Sequence, residues 1–431
     1  MNAPVAHDLR QARLQSLLRD VAGRSKFYRH FYARHGITVD ERFLERLGRR
    51  FDELPILETH HLLNDADDLR LEGEQHFRVT CSGGTLNAPK VLYRTEGDWA
   101  ASVQNMAEVF GMAGVRRGDV LMIAQPLDIW GVGYLALDCC KRLRCLAVPV
   151  GMNKDPEMMS RFVERFGVNV VFGSPSLLKG FTQWAEMNVT RRDIRLLVAG
   201  EKLYAADREY LSDFWGNGVY NLYGSEETDA LAAECDAHDG MHILGHSFLF
   251  ELMSDGNYLA LKNDATTEGE LIITSCYHRG SPIIKYRLGD IAAIKTSERP
   301  CVCGRRSPRI TVMGKINQCV TLYDATKLYT YQVDAALEQV IGRGIQYQLL
   351  VEDVRDGHVK ERVTLLVARD DMANVERRRI IEALARSSLD LADAVTSRQV
   401  ELRADFLHPE AETTSKGKWL KIVDRRSCPR S

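Results

Sequence analysis

The stretch Thr80–Lys90, TCSGGTLNAPK, is built from small polar residues and glycines and ends on Pro-Lys. Small residues let backbone N–H groups approach phosphate oxygens with no side chain in the way, and Ser82 and Thr85 add hydroxyl donors. The spacing is not GxxxxGK[ST], so alone the loop reads equally well as a surface turn. Further on, Glu226 and Glu227 follow Asn221-Leu222-Tyr223-Gly224-Ser225, and Asp290 follows Tyr286-Arg287-Leu288-Gly289. A carboxylate is the ligand type a hard divalent cation takes, and its two oxygens can receive two hydroxyl groups at once. Ser415-Lys416-Gly417-Lys418 adds two ammonium groups, which in a polar segment are usually just solvated. Finally, Cys235, His242, Cys301 and Cys303 form a C-x6-H … C-x-C set, with His238 as a rival imidazole. Thiolates and an imidazole suit Zn2+ in closed tetrahedral geometry. The plainer alternative is two independent buried cysteines and a surface histidine.

These residues need elements to hold them. Leu9, Leu14, Leu17, Leu18 and Val21 recur at helical spacing, so amphipathic helices are expected over residues 8–35. From Val79 the texture changes to short apolar runs (VLMIAQP, CLAVPVG, VNVVFGSP, RLLVAGE, GVYNLYGSEE) separated by helical-period segments. Such alternation predicts an α/β domain with largely parallel strands, and Gly, Ser and Pro follow several runs, where strand ends meet ligand. After Glu251, the runs DGNYLAL, TEGELIITS and SPIIKYRLGDIAAIK predict a β-rich subdomain. From about Met313 a helix over 331–340, strands IQYQLLVED and RVTLLVARD, and the helix VERRRIIEALARSSL predict a small α+β domain.

Of 431 residues, 45% are apolar, enough for a large core in two or three domains. A formal net charge of −2, from 57 basic and 59 acidic residues, offers no field to grip nucleic acid or an anionic membrane. No apolar run approaches 18 residues and the first residues lack a signal pattern, so a cytoplasmic protein is expected. Ten cysteines spread over this length read as reduced thiols rather than a disulfide framework.

Taken in order, Ser82–Lys90, Asn221–Glu227, Tyr286–Asp290 and Ser415–Lys418 resemble the adenylate-forming acyl-CoA synthetase superfamily. Its cores read S-[ST]-G-T-T-G-x-P-K, Y-G-x-T-E, Y-R-T-G-D and a C-terminal G-K. Leu54-Pro55-Ile56-Leu57, Glu234-Cys235, Gly240-Met241-His242 and Cys301-Val302-Cys303-Gly304-Arg305 make the resemblance greatest to the phenylacetate-CoA ligase branch. The resemblance spans roughly the whole chain. It implies a large N-terminal adenylation domain with parallel sheets and a β-rich subdomain (1–314) and a small mobile α+β lid (315–431).

The resemblance also implies roles. Joining a carboxylate to the α-phosphate of ATP brings two anions together, so the site must neutralise charge and exclude water. Ser82, Gly83, Gly84, Thr85 and Lys90 correspond to the phosphate loop. Glu227 corresponds to the Mg2+ ligand, and Tyr223 to the residue against the adenine ring. Gly200, Glu201, Asn221, Leu222, Gly224 and Ser225 correspond to the rest of the ATP site. Asp290 corresponds to the ribose ligand, and Lys418 to the catalytic lysine of the lid. The hinge falls at Met313–Gln318, where Asn317 stands for the usual pivot Asp and Lys315 for an Arg, whose planar fork a lysine cannot reproduce. In this branch Cys235, His242, Cys301 and Cys303 are implied to hold a structural Zn2+.

The acid is expected against residues 125–133, with Trp130, Gly131, Phe172 and Ala199 as walls. An aromatic acid is implied by the resemblance alone, since an apolar pocket separates similar acids only modestly.

Three departures bear on function. Leu86 removes a hydroxyl donor, Asn87 stands for a glycine, and Glu226 replaces Thr or Ser beside Glu227. A second carboxylate there repels phosphate unless it faces away or binds metal. These changes suggest a specialised biosynthetic enzyme, with coenzyme A, a carrier-protein thiol or an amine as acceptor. A non-catalytic nucleotide-binding relative is the alternative of another class. No nucleic-acid or membrane partner is expected, and a homodimer is left open.

Overall fold

In the computed structural model the described residues are 3–82, 89–152, 155–188, 193–216, 218–316, 318–322, 326–342, 345–356, 359–368, 372–387, 389–406 and 421–426. The chain divides into two compact units, 1–203 with 207–312, and 204–206 with 313–431.

The first unit opens on helices Ala3–Arg24 and Lys26–Arg34. Leu14, Leu17, Leu18 and Val21 face the core as their spacing predicts, and the Tyr28 hydroxyl donates to the Pro282 carbonyl at 2.9 Å. Its strands are β1 (His76–Cys81), β2 (Val91–Thr95), β3 (Val120–Ala124), β4 (Leu146–Pro149), β5 (Val170–Gly173), β6 (Arg195–Val198) and β7 (Val219–Ser225). They continue with β8 (Asp229–Ala233), β9 (Met241–Ile243), β10 (Phe248–Ser254), β11 (Asn257–Leu259), β12 (Thr266–Ser275), β13 (Tyr286–Lys295) and β14 (Arg309–Lys315).

Strands β3 to β7 lie parallel in the order β4-β3-β5-β6-β7. The inner strands β3, β5 and β6 are apolar runs of the kind a sheet covered on both faces requires, while β4 lies at the edge. Local signals punctuate the crossover helices. The Asp155 side chain accepts from the N–H groups of Glu157 and Met158 ahead of helix Pro156–Phe166, which stops at Gly167 with φ +64°. Thr95 and Asp98 form a capping box on helix Glu96–Met112.

The β-rich stretch is joined to the parallel strands: β8, β9, β14, β13, β12, β10 and β11 continue from β7 into a single sheet of twelve strands. The tight β7–β8 turn reverses the chain and converts a parallel sheet into an antiparallel one. That turn also carries Glu226 and Glu227, so the junction of the two sheet types is where the candidate chemistry sits.

In the second unit, β15 (Cys319–Thr321) pairs antiparallel with β16 (Lys327–Tyr329), and β17 (Tyr347–Asp356), β18 (Val359–Val367), β19 (Val400–Phe406) and β20 (Ile422–Asp424) form a sheet in the order β19-β18-β17-β20. Leu349, Val351, Val363 and Leu365 alternate onto its buried face against Val333 and Leu337 of helix Thr330–Ile341 and Ile380 and Leu384 of helix Asn374–Ala385. A large sheet followed by a separate small α+β sheet is the predicted fold class.

Candidate active site

Strands β1 and β2 pair antiparallel, ending on Cys81 opposite Val91. The Ser82–Lys90 stretch is therefore a hairpin connection, not a strand-to-helix loop. The Ser82 N–H donates to the Lys90 carbonyl at 3.1 Å, and the Lys90 N–H donates to Ser82 Oγ at 3.4 Å. Gly83, Gly84, Thr85, Leu86 and Asn87 lie outside the described residues, as do Asn317 and Lys418.

Lys90 reaches across 137 positions of sequence to Glu227, with which it forms an ion pair. Glu227 is buried, and its Oε1 also accepts from the Tyr286 hydroxyl at 3.1 Å. Tyr286 is in turn 3.2 Å from Thr59 Oγ1 and 3.3 Å from Lys90 Nζ. Burial opposes a charge on Glu227, but the Lys90 ammonium outweighs it and holds the carboxyl below the usual range.

The Tyr223 hydroxyl, on β7, donates to Asp290 Oδ2, on β13, at 2.7 Å. Burial, then the Asp290 charge, pushes that phenol well up, so it stays a donor at any physiological pH. Both motifs carry a glycine that the backbone requires. A Cβ at Gly224 would meet the Asp229 carbonyl at 2.2 Å. Gly289 has φ +77° opposite a register slip between Glu270 and Ile272. Y-G and L-G-D are thus a tight turn and a bulge that aim Glu227 and Asp290.

Other sequence-selected residues have structural partners. The Ala199 N–H donates to the Gly173 carbonyl at 3.1 Å, extending the pairing of β5 and β6 by one bond. Gly200 has φ +89°, and the Glu201 carboxylate accepts from the N–H of Ser176 at 3.2 Å and from its hydroxyl. The Asn221 N–H donates to Glu234 Oε2 at 2.8 Å, and Arg208 grips both oxygens of Glu234 at 2.7 and 2.8 Å. Leu222 is core, while Ser225 Oγ is 2.9 Å from Thr228 Oγ1 and braces the turn. Lys315, at the end of β14, is exposed.

Trp130 and Gly131 stand just ahead of helix Val132–Leu143. Phe172 is 1% exposed and packs edge-on against Phe110. Alternation along β5 turns it onto helix Glu96–Met112.

Sequence reasoning missed a buried network behind the turn. Arg94, fully buried on β2, donates from Nη2 to the Glu226 carbonyl at 2.5 Å and pairs with Asp229 Oδ1 at 3.2 Å. Asp229 Oδ2 accepts from Ser102 at 2.5 Å and lies 3.3 Å from His278 Nε2. The signal was available: in VLYRT, Arg94 follows Leu92 by two and so shares its inward face.

Away from this cluster, the ligand atoms of Cys235, His242, Cys301 and Cys303 all lie within 4.8 Å of one another. Cys235 Sγ and Cys301 Sγ are 3.7 Å apart, and Cys303 Sγ is 3.3 Å from His242 Nε2. Thiolates about 2.3 Å from one tetrahedral zinc stand about 3.8 Å from each other, so the donor set fits that ion. His242 Nδ1 lies 3.1 Å from Ser307 Oγ and 3.3 Å from the Ser307 carbonyl, which fixes the ring with Nε2 toward the sulfurs. His238, the rival, instead lies against Glu234 at 3.4 Å and Arg208 at 3.2 Å.

The sequence matches no family model. It is 27% identical over 365 residues to the phenylacetate-coenzyme A ligase of Aromatoleum evansii, covering 82% of this chain and 79% of that one. To the phenylacetate-coenzyme A ligase of Pseudomonas putida it is 23% identical over 228 residues, 51% of each chain. The fold superposes on an open conformation of 2-hydroxyisobutyryl-CoA ligase, solved in complex with 2-HIB-AMP and CoA, with a TM-score of 0.75. That match is 18% identical and covers 96% of this chain and 90% of the other. The architecture is therefore that of the adenylate-forming acyl-CoA synthetases. In sequence the chain is similar to phenylacetate-coenzyme A ligases.

Among the described residues, no helix is long and apolar enough to cross a membrane.

Proposed function

We propose that the chain activates a carboxylic acid, an aromatic one in the first instance, with ATP and passes the acyl group to coenzyme A. A carboxylate oxygen attacks the α-phosphorus, the bond to the β-phosphate breaks, and pyrophosphate leaves with the electron pair. The thiolate of coenzyme A then attacks the acyl carbon and AMP departs. The observation that carries this reading is that three distant stretches supply two sets of contacts, Lys90 and Tyr286 on Glu227 and Tyr223 on Asp290.

Each group has a task suited to its chemistry. Glu227 would hold Mg2+, which supplies positive charge against the phosphates. Lys90, with Ser82, Gly83, Gly84 and Thr85, cradles the phosphates. Tyr223, Asn221 and the turn at Gly200–Glu201 line the adenine site. Asp290, oriented by the Tyr223 hydroxyl, accepts from the ribose hydroxyls. On the resemblance alone, residues 315–431 are a lid that turns about Asn317 and delivers Lys418 to the charge developing between carboxylate and α-phosphate. Trp130 and Gly131 border the acid.

The deciding experiment offers ATP, Mg2+ and a panel of aryl and alkyl carboxylic acids, with and without coenzyme A, and identifies products by mass spectrometry. The expected products are pyrophosphate, AMP and an acyl-CoA thioester. Amide formation without coenzyme A moves the acceptor to an amine. ATP cleavage only with compounds that lack a carboxylate overturns the mechanism.

The four-ligand cluster is proposed as a structural Zn2+ site that ties the Cys301–Cys303 turn to Cys235, just after β8, and to His242 on β9. Protein purified without added zinc should contain it stoichiometrically, and removal by a chelator should lower the unfolding temperature. Sub-stoichiometric zinc with unchanged stability contradicts the assignment.

A further inference from the structure

Strand β2 reaches the turn between β7 and β8 at two points. Lys90 leads into β2, and by alternation Lys90, Leu92 and Arg94 share one face of it. Lys90 pairs with the Glu227 carboxylate. Arg94 takes the main chain: its Nη2 donates to the Glu226 carbonyl and lies 3.2 Å from Asp229 Oδ1. That carbonyl belongs to the peptide unit that leads into Glu227, so the guanidinium grips the backbone from which the Glu227 side chain springs. A third anchor is the Glu226 carboxylate, which accepts from the Gly131 N–H at 2.9 Å.

This arrangement is costly for a pair that only fills the core. Arg94 is fully buried, yet its Nε and Nη1 have no hydrogen-bond partner among the described residues. Unpaired buried donors oppose folding, and a buried ion pair contributes little that well-packed apolar residues of similar volume do not. Asp229 has φ +58°, a left-handed conformation, and is fixed there by Arg94, Ser102 and His278. Backbone of that kind persists where its surroundings over-determine it, and it clusters at functional sites. What the contacts secure is the path of the turn, held at Glu226 and at Asp229 with Glu227 between the two points.

We infer that Arg94 is a positioning residue for phosphate binding: it touches neither nucleotide nor acid, and by holding the turn it keeps the Glu227 carboxylate opposite Lys90. This rests on the adenylation reading given above. The nucleotide site then has two halves. Lys90 and Glu227, which serve the phosphates and their Mg2+, depend on the clamp. Tyr223 and Asp290, which serve the nucleoside, are joined to each other on β7 and β13 and do not.

The test compares the Kd for ATP in excess Mg2+ with the Kd for adenosine, by titration calorimetry on the full chain, for the wild type and two variants. Arg94→Met/Asp229→Leu removes both charges together, so none is stranded in the core. Arg94→Lys keeps a charge beside Asp229, but its stem ends a bond short of the guanidinium nitrogen and carries no planar fork. Denaturation midpoints establish that each variant is folded. In both, the Kd for ATP should rise about tenfold, the scale of one hydrogen bond from a charged group, while the Kd for adenosine stays within about threefold of the wild-type value.

An unchanged Kd for ATP in either folded variant overturns the inference. So does a parallel loss of adenosine binding, which marks a loosened fold rather than a displaced carboxylate. If the double variant does not fold, Arg94→Lys carries the test alone. A wild-type protein that binds no ATP, or releases no pyrophosphate with any acid, overturns the adenylation reading and this inference together. Acid-dependent release by the wild type with unchanged ATP binding in the variants overturns this inference only.

Discussion

Glu227→Ala should lower acid-dependent pyrophosphate release by about 10²–10³-fold, the scale expected when one preorganised charge contact to a reacting group is lost. The residue is buried, yet its charge is held by the Lys90 ammonium, itself partly accessible at 20% exposure. Removing the carboxylate therefore leaves a lysine that can turn to water, and the fold should survive. Glu227→Gln should be nearly as impaired, because an amide keeps a bond to Tyr286 but cannot neutralise a divalent cation. Steady-state pyrophosphate assays at saturating acid, with the circular dichroism spectrum as a check on folding, read both outcomes. A rate within threefold of wild type for either variant removes Glu227 from the proposed chemistry.

The second large effect is on stability. Arg94 and Asp229 form an ion pair with side chains 0% and 3% exposed. Such pairs contribute little net stability when whole, but removing one partner strands the other charge in the interior at a cost of about 3–5 kcal/mol. Asp229→Ala should shift the denaturant midpoint of the first unit accordingly. The double variant Arg94→Met/Asp229→Leu should be less destabilised than the sum of the two single changes.

His278 adds a pH signature to the same network. Burial and then the Arg94 charge hold its imidazole below the ordinary 6.5. The folded state thus keeps His278 neutral while the unfolded chain takes up a proton, so its contribution to stability is lost as pH falls below about 6.5. Asp229, held low by Arg94 against the cost of burial, works in the same direction at more acid pH. Denaturation midpoints between pH 8 and pH 5 should fall in the wild type and fall less in His278→Gln. Equal slopes for the two proteins contradict this reading.

Much of the architecture was legible because it is written in local periodicity. The apolar runs became β3 to β7, and the helical segments between them became the crossovers. The continuity of the sheet was not legible. It depends on the turn from Ser225 to Asp229 reversing one strand against another, a non-local pairing that no run of residues announces.

The same division holds at the site. The sequence nominated Cys235, His242, Cys301 and Cys303 with His238 as a rival imidazole, and the fold brings His242 to the sulfurs and leaves His238 with Glu234. Lys90 and Glu227 were each nominated singly, since nothing in the sequence pairs residues 137 positions apart. Phe172 was nominated as a wall facing an aromatic acid, and strand alternation turns it toward Phe110. Arg94 shows the converse. A charge on the inward face of a short strand is a readable anomaly, and it marked the network that supports the Glu226–Glu227 turn.

The central claim is that a carboxylate oxygen attacks the α-phosphorus of ATP. It is tested most directly by offering the best acid of the panel with both carboxylate oxygens as 18O and analysing the nucleotide product by mass spectrometry. The account predicts AMP carrying one 18O, with none in the pyrophosphate. ADP as the product, with 18O in inorganic phosphate, would mean attack at the γ-phosphorus and would contradict it.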